Sequence, residues 1–322
     1  MKALAQHVYG APDSLTYEDV PDPVPAEGEV LVRVRATSVN PYDWHFMRGE
    51  PYVARLMQGG FGLRRPRAGI LGCDLAGRVE TAGAHFRPGD DVYALLPNGA
   101  YAEYVCVPED LLAPMPANLT HEQAAAMPMA AVTALLALRG VKAGQRVLVN
   151  GASGGVGTFA VQLARAFGAQ VDAVCSPANV ELARSLGAEH VVDYRSADFT
   201  RSGRRYDFVL DIAGSRSLLA CRRVVDQGGT FVAIGGPAGR WLQPARHAFA
   251  ALATGPLVRR RAVLADAVGC REKKAVLGEL AALAERGALT PVIDRSYPFD
   301  DLRTAIAYQE AGHAKGKVVV TL

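Results

Sequence analysis

The run Val147-Leu148-Val149-Asn150-Gly151-Ala152-Ser153-Gly154-Gly155-Val156-Gly157 constrains this chain more than any other stretch. Its apolar residues form a short buried strand and its glycines a tight turn. Phe159, Ala160, Leu163, Ala164 and Phe167 then recur at helical spacing. Ala152-x-Gly154-x-x-Gly157 fits the G-x-G-x-x-G pattern with alanine in first place. Strand, glycine turn and helix start together form a phosphate cradle. Glycine lets the backbone approach a pyrophosphate, and the helix N-terminus offers free N–H groups and a partial positive charge. A dinucleotide cofactor is the first expectation.

The surrounding pattern extends this. Thr120-His121-Glu122-Gln123 reads as a capped helix start. Beyond it, strands are expected at 146–150, 170–175, 190–194, 206–212, 229–235 and 261–266, and helices at 121–139, 155–167, 178–186 and 215–225. That alternation predicts an α/β fold with a parallel, doubly wound sheet. The first third reads differently. Val30, Val32, Val34 and Ala36 alternate with Arg33 and Arg35, as in a half-buried strand, and further strands are expected at 77–80, 91–95 and 101–107. The tail predicts a helix over 271–286, a strand near 292–297, a helix over 300–311 and a strand at 317–321. The expected division is a β-rich domain of residues 1–121 and 269–322 around a cofactor-binding domain of residues 122–268.

The chain has 322 residues, half of them hydrophobic, enough for two cores. Its net charge of +3 gives no pull toward nucleic acid or a membrane surface, and neither is expected as a partner. The arginine clusters at 64–67 and 259–261 read as solvated surface. Five scattered cysteines without a C-x-x-C pair predict no disulfide framework. With no signal-peptide pattern after Met1, and an apolar stretch at 245–258 broken by Arg246, His247 and Pro256, a cytoplasmic protein is expected.

In dinucleotide sites, an acid at the end of the second strand holds the ribose 2′-hydroxyl of NAD. Here Cys175 stands 18 residues past Gly157 and is followed by Ser176-Pro177-Ala178-Asn179. Asp172 lies too early in the strand. The missing acid, and a serine able to donate to a 2′-phosphate, favour NADPH and leave NADH use open.

Several motifs in order carry a resemblance over essentially the whole chain. They are Ser38-Val39-Asn40-Pro41-Tyr42-Asp43-Trp44, Gly72-Cys73-Asp74-Leu75-Ala76-Gly77, Pro88-Gly89-Asp90-Asp91-Val92-Tyr93, Gly99-Ala100-Tyr101-Ala102-Glu103-Tyr104, the glycine turn, and Gly312-His313-Ala314-Lys315-Gly316-Lys317. The chain resembles the medium-chain dehydrogenase/reductase superfamily in its zinc-free, quinone oxidoreductase-like branch. The resemblance implies a GroES-like β domain plus a Rossmann domain, with the cofactor in the cleft between them, and a homodimer joined through Rossmann sheet edges. Zinc-dependent members hold the catalytic metal with cysteine, histidine and cysteine. This chain has Asn40 and Cys73 at the first two positions and no cysteine near Pro128, and it lacks the four-cysteine structural lobe. No metal is expected. Without a Lewis acid, the expected reaction is hydride transfer to a quinone or α,β-unsaturated carbonyl. The alternatives are an enoyl-thioester reductase and a non-catalytic NADPH-binding sensor.

The resemblance also implies roles. Asn40 would lie beside the nicotinamide ribose and substrate, and Thr133 would face the nicotinamide or its phosphates. Ser153, Gly154, Gly155 and Val156 would bind the pyrophosphate, and Ser176 and Tyr194 the 2′-phosphate. Gly214, Ile234, Gly235 and Gly236 would line the ribose and nicotinamide side, and His313 and Lys315 would close the site. Ala178 stands where relatives often carry a basic residue on the 2′-phosphate, which leaves Arg195 as a substitute cation. The catalytic candidates are Asn40, Tyr52 and Asp43. Tyr52 is a possible donor on the Gly49-Glu50-Pro51-Tyr52 loop, and Asp43 reads first as a carboxylate that orients its loop. His45 reads as a packing residue or proton donor, and the segment from Arg55 to Arg67 as a lid.

Overall fold

The computed structural model describes residues 1–52, 55, 62–67, 69–235, 261–264 and 267–322. The chain runs through β1 (Lys2–Gln6), β2 (Leu15–Asp19), β3 (Glu29–Val39), α1 (Pro41–Arg48), β4 (Asp74–Val79), β5 (Asp91–Leu95), β6 (Tyr104–Pro108), β7 (Leu112–Pro114), α2 (His121–Ala125) and α3 (Pro128–Ala137). There follow β8 (Arg146–Asn150), α4 (Gly155–Ala166), β9 (Gln170–Cys175), α5 (Val180–Ser185), β10 (His190–Asp193), β11 (Tyr206–Asp211), α6 (Leu218–Cys221), β12 (Val225–Ala233) and β13 (Arg261–Leu264). The tail adds α7 (Lys273–Glu285), β14 (Ile293–Pro298), α8 (Leu302–Glu310) and β15 (Lys317–Thr321). Two units result, Met1–Val132 with Val268–Leu322, and Thr133–Ala267.

In the second unit, six strands pair in the order β10-β9-β8-β11-β12-β13, all parallel. This is the doubly wound Rossmann order, with its switch point between β8 and β11. Val147, Leu148 and Val149 are fully buried, as a strand covered on both faces requires. Phe159, Ala160, Leu163 and Ala164 of α4 are buried as their spacing predicts, Phe167 at its C-terminal cap is half-buried, and Thr158, Val161 and Gln162 are buried as well.

The first unit holds a sheet in the order β14-β15-β3-β4-β5-β7, with β6 also paired to β3. The alternation in β3 places Val30, Val32, Val34 and Ala36 inside, and the strand continues to Val39. Against that end of β3 lies a core of Leu4, Met47, Leu71, Tyr101, Ile306 and Val320.

Several expectations need correcting. The helix expected over 121–139 is two helices, because Pro128 has no N–H to continue α2 and instead opens α3. The capping box at its start does form: Gln123 N donates to Thr120 Oγ1 at 3.3 Å and Thr120 N to Gln123 Oε1 at 3.0 Å. Buried Ala124 and Ala125 of α2 lie against β3 and β4, so α2 belongs to the first unit and the boundary falls at 132/133 rather than 121/122. The helix expected over 215–225 shortens to α6. The pairing of β1 with β2 and the helix α1 were not foreseen.

Candidate functional site

The second unit carries a phosphate cradle at the carboxyl end of its sheet. Gly151 sits at φ +94°, a left-handed conformation that favours glycine. A Cβ on Gly157 would lie 2.1 Å from the Gly151 carbonyl oxygen, so the turn closes only around glycine. At Gly154, the cap of α4, a Cβ would meet nothing nearer than the Gly151 oxygen at 3.7 Å. There glycine leaves room that a pyrophosphate can take. Gly155 and Val156 form the first turn of α4, where N–H groups have no intrahelical partner. Ser153 Oγ accepts from Asn179 Nδ2 at 2.9 Å, so its own hydroxyl hydrogen remains to donate. These residues fit a dinucleotide.

The same edge carries the other expected residues. Ser176 follows β9 half-buried, and Tyr194, after β10, is 48% exposed. Gly214, at φ +59°, donates its N–H to Asp211 Oδ1 at 3.0 Å. Asp211 also accepts from Asn150 Nδ2 at 2.7 Å, joining β8 to β11 at the switch point. Ile234 N donates to the Asp211 carbonyl at 3.0 Å, and a Cβ on Gly235 would lie 2.2 Å from the Ile212 carbonyl oxygen. Gly236 lies outside the described residues, as do residues 56–61 of the segment from Arg55 to Arg67 read as a lid. Sequence reasoning passed over Asn150, Asn179 and Asp211. Their signal was an amide or acid at a strand or turn end, which is too common to single out. An acid does stand beside Cys175: Asp193 on β10 is its register partner.

The first unit holds a buried polar cluster around Asn40. Asn40 caps α1, with Pro41 at its first position. Its N–H donates to Asp43 Oδ2 at 2.8 Å. Its Nδ2 donates to Asp74 Oδ2 at 2.9 Å and to Cys73 Sγ at 3.3 Å. Lys317 Nζ donates to Asn40 Oδ1 and lies 3.1 Å from Asp74 Oδ2. Ser38 Oγ also donates to Asp74 Oδ2, and Met129 N, in the first turn of α3, donates to Asp74 Oδ1 at 2.7 Å. Asn40, Asp43, Cys73, Asp74 and Lys317 are each at most 3% exposed. Burial pushes the Asp43 carboxyl up to about 7, helped by the nearby Asp74 charge and opposed by the Asn40 N–H. A lysine opening a strand ordinarily reads as solvent-facing, so the sequence alone does not single out Lys317 or its partner Asp74.

The remaining candidates are placed as follows. The guanidinium of Arg55 lies 4.6 Å from the Tyr52 ring and 4.2 Å from the Tyr9 ring. His45 stacks on Trp44 at 3.8 Å and has Nδ1 3.0 Å from the Glu50 carbonyl oxygen, and burial lowers its pKa. That arrangement turns its Nδ1 toward the backbone. Thr133 is buried in α3. His313 and Lys315 are exposed on the bend before β15. Among the described residues, no helix is long and apolar enough to cross a membrane.

Comparisons with known proteins agree with this architecture. Residues 26–117 match the alcohol dehydrogenase GroES-like domain and residues 186–320 the zinc-binding dehydrogenase model. The bovine mitochondrial NAD(P)H oxidoreductase RTN4IP1 is 34% identical over 329 residues, covering 91% of this chain and 82% of the relative. The NADPH-dependent alkenal/one oxidoreductase of Arabidopsis thaliana chloroplasts is 33% identical over 340 residues, covering 99% and 79%. The quinone oxidoreductase structure from Coxiella burnetii superposes with a TM-score of 0.85 at 29% identity, covering 100% of this chain and 99% of that one.

The second model's description implies zinc, but the residues present do not fit it. Burial, with Asp43 and Asp74 adding to it, holds the Cys73 thiol well above its ordinary range, and Asn40 donates to its sulfur. Asp74 is already paired with an ammonium. Among the described residues, no three His, Cys, Asp or Glu side chains are grouped to hold a metal ion. With a GroES-like unit, a Rossmann unit and this donor set, the chain belongs to the zinc-free, quinone oxidoreductase-like branch of the medium-chain dehydrogenase/reductase superfamily.

Proposed function

We propose that the chain is an NAD(P)H-dependent oxidoreductase that reduces a quinone or an α,β-unsaturated carbonyl without zinc. The carrying observation is the glycine turn at the switch point, sterically closed at Gly157 and open at Gly154. The bound nicotinamide supplies the hydride. The chain's own residues hold the dinucleotide through Ser153 and the first turn of α4. The acceptor class follows from the cluster around Asn40. Of its possible metal ligands, burial holds the Cys73 thiol well above its ordinary range and Asp74 is paired with Lys317, so the cluster is not built to hold a metal that would lower the pKa of an alcohol. An acceptor that is already electrophilic needs only positioning and a few hydrogen bonds. Asn40 and Thr133 are the residues we assign to the nicotinamide, and Tyr52 to the acceptor oxygen.

NADPH is the cofactor we assign, on Ser176, Tyr194 and the absence of an acid at Cys175. Arg195 serves as the nearby cation and Asp193 moderates the preference, so NADH is also used. The small-molecule acceptor is met by a cytoplasmic homodimer. Its five cysteines stand unpaired, as suits a reducing compartment, and sedimentation velocity measures the assembly.

The test is NADPH and NADH oxidation with 1,4-benzoquinone, 9,10-phenanthrenequinone, a 2-enal and crotonyl-CoA. Turnover of the quinones or the enal supports the proposal. Turnover confined to crotonyl-CoA makes the chain an enoyl-thioester reductase instead. Tight binding of NADPH without turnover of any of the four makes it a non-catalytic binding protein.

A further inference from the structure

Lys317 is the first residue of β15 and is 3% exposed. A lysine is rarely buried so completely unless it is paired. Its ammonium touches two groups, Asn40 Oδ1 and Asp74 Oδ2. Each of those is fixed elsewhere as well. Both Nδ2 hydrogens of Asn40 have acceptors, in Asp74 and Cys73. The carboxamide is therefore held at every polar atom, and Lys317 specifies which end is oxygen. Asp74 accepts from Ser38, Asn40 and Lys317 through one oxygen and from Met129 N through the other. That second contact anchors the start of α3, where a negative charge suits the helix dipole. Thr133 lies four residues further along the same helix, on the same face by helical spacing.

We propose that Lys317 is a positioning residue for hydride transfer: its ammonium fixes the Asn40 carboxamide and the Asp74 carboxylate that anchors the first turn of α3. The inference rests on the assignment of Asn40 and Thr133 to the nicotinamide. Lys317 touches neither cofactor nor acceptor in this account. It acts through Asn40 on one side and through Asp74 and α3 on the other.

The experiment uses the full chain in five forms: parent, Lys317→Met, Asp74→Asn, the double variant, and Asn40→Ala. Each is measured for melting temperature, for Kd of NADPH and of 2′-phospho-ADP-ribose, and for kcat and KM with 9,10-phenanthrenequinone. Lys317→Met alone leaves a buried carboxylate without its counter-charge and lowers the melting temperature, whereas removing both charges together restores much of it. The double variant therefore keeps the question open to test even where the single variant folds poorly. We expect it to bind 2′-phospho-ADP-ribose within about threefold of the parent. Its kcat falls about tenfold to a hundredfold, and its NADPH affinity drops toward that of the fragment. A well-folded double variant with parental kcat and parental NADPH affinity would show the pair to be scaffolding and overturn the proposal. If Asn40→Ala also leaves kcat and NADPH affinity unchanged, the assignment of Asn40 fails, and the proposal with it. Loss in Asn40→Ala without loss in the double variant removes the proposal alone.

Discussion

The cradle at the start of α4 and the cluster around Asn40 are both polar centres, built in opposite ways. The cradle is made of backbone from one continuous stretch, Gly151 to Gly157, and is half-exposed. Its specificity lies in where side chains are absent. The cluster is made of side chains from β3, α1, β4 and β15, as far apart in sequence as Asn40 and Lys317, and it is closed to solvent. Its specificity lies in charge balance, the carboxyl groups of Asp43 and Asp74 beside one ammonium in a shared low-dielectric space. An open backbone cradle suits a ligand that must enter and leave. A closed side-chain cluster suits a fixed scaffold whose protonation matters.

Substitutions should separate the two. The largest effect is expected at Gly157. Gly157→Ala places a Cβ 2.1 Å from the Gly151 oxygen, so the turn must open. We expect lower melting temperature together with cofactor Kd raised by about a hundredfold or more, on the order of 3 kcal/mol, by fluorescence titration. Gly154→Ala has room for its Cβ and should keep the parental melting temperature, yet it intrudes on the pyrophosphate and weakens binding by about tenfold. Equal effects at the two glycines would show that the turn does not distinguish closure from ligand space.

Asp43 tests the cluster. Its folded carboxyl is raised to about 7 from an ordinary value of 3.8. Between those values, the folded chain keeps a proton that the unfolded chain releases. The stability from Asp43 is thus complete below about pH 4 and is lost as pH rises through about 7. Asp43→Asn should remove this slope. The parent, relative to the variant, should lose on the order of 3 kcal/mol between pH 4 and 8 in urea titrations. Parallel pH profiles would show that Asp43 is ionised in the folded state throughout.

Smaller effects are expected at the 2′ position. Ala178→Arg adds a charge-assisted contact to a 2′-phosphate and should raise the NADPH over NADH preference by about tenfold, or about 1.5 kcal/mol. Asp193→Asn removes a repelling charge beside Cys175 and should shift the same ratio in the same direction by about threefold. Kd ratios for the two cofactors read both variants. An unchanged ratio in Ala178→Arg would place the 2′ group elsewhere.

These two centres also differed in how far the sequence revealed them. The cradle was legible because strand, turn and helix are local and glycine spacing is a backbone requirement. The parallel strand positions followed from the same alternation. The cluster was only partly legible. Asn40 was legible through the motif that carries the resemblance and Asp43 as a carboxylate orienting its loop, but their part in capping α1 was not. Lys317 could not be found by pattern, since its burial depends on β15 lying beside β3, a contact between distant segments. The break at Pro128 had a local signal that the apolar run through 121–139 obscured.

The central claim, hydride transfer without a metal, is tested most directly by dialysing the protein against a chelator and following NADPH oxidation with 9,10-phenanthrenequinone, with zinc content measured on the same sample. The account predicts an unchanged rate and far less than one zinc per chain. Activity lost on chelation and restored by stoichiometric zinc would contradict it.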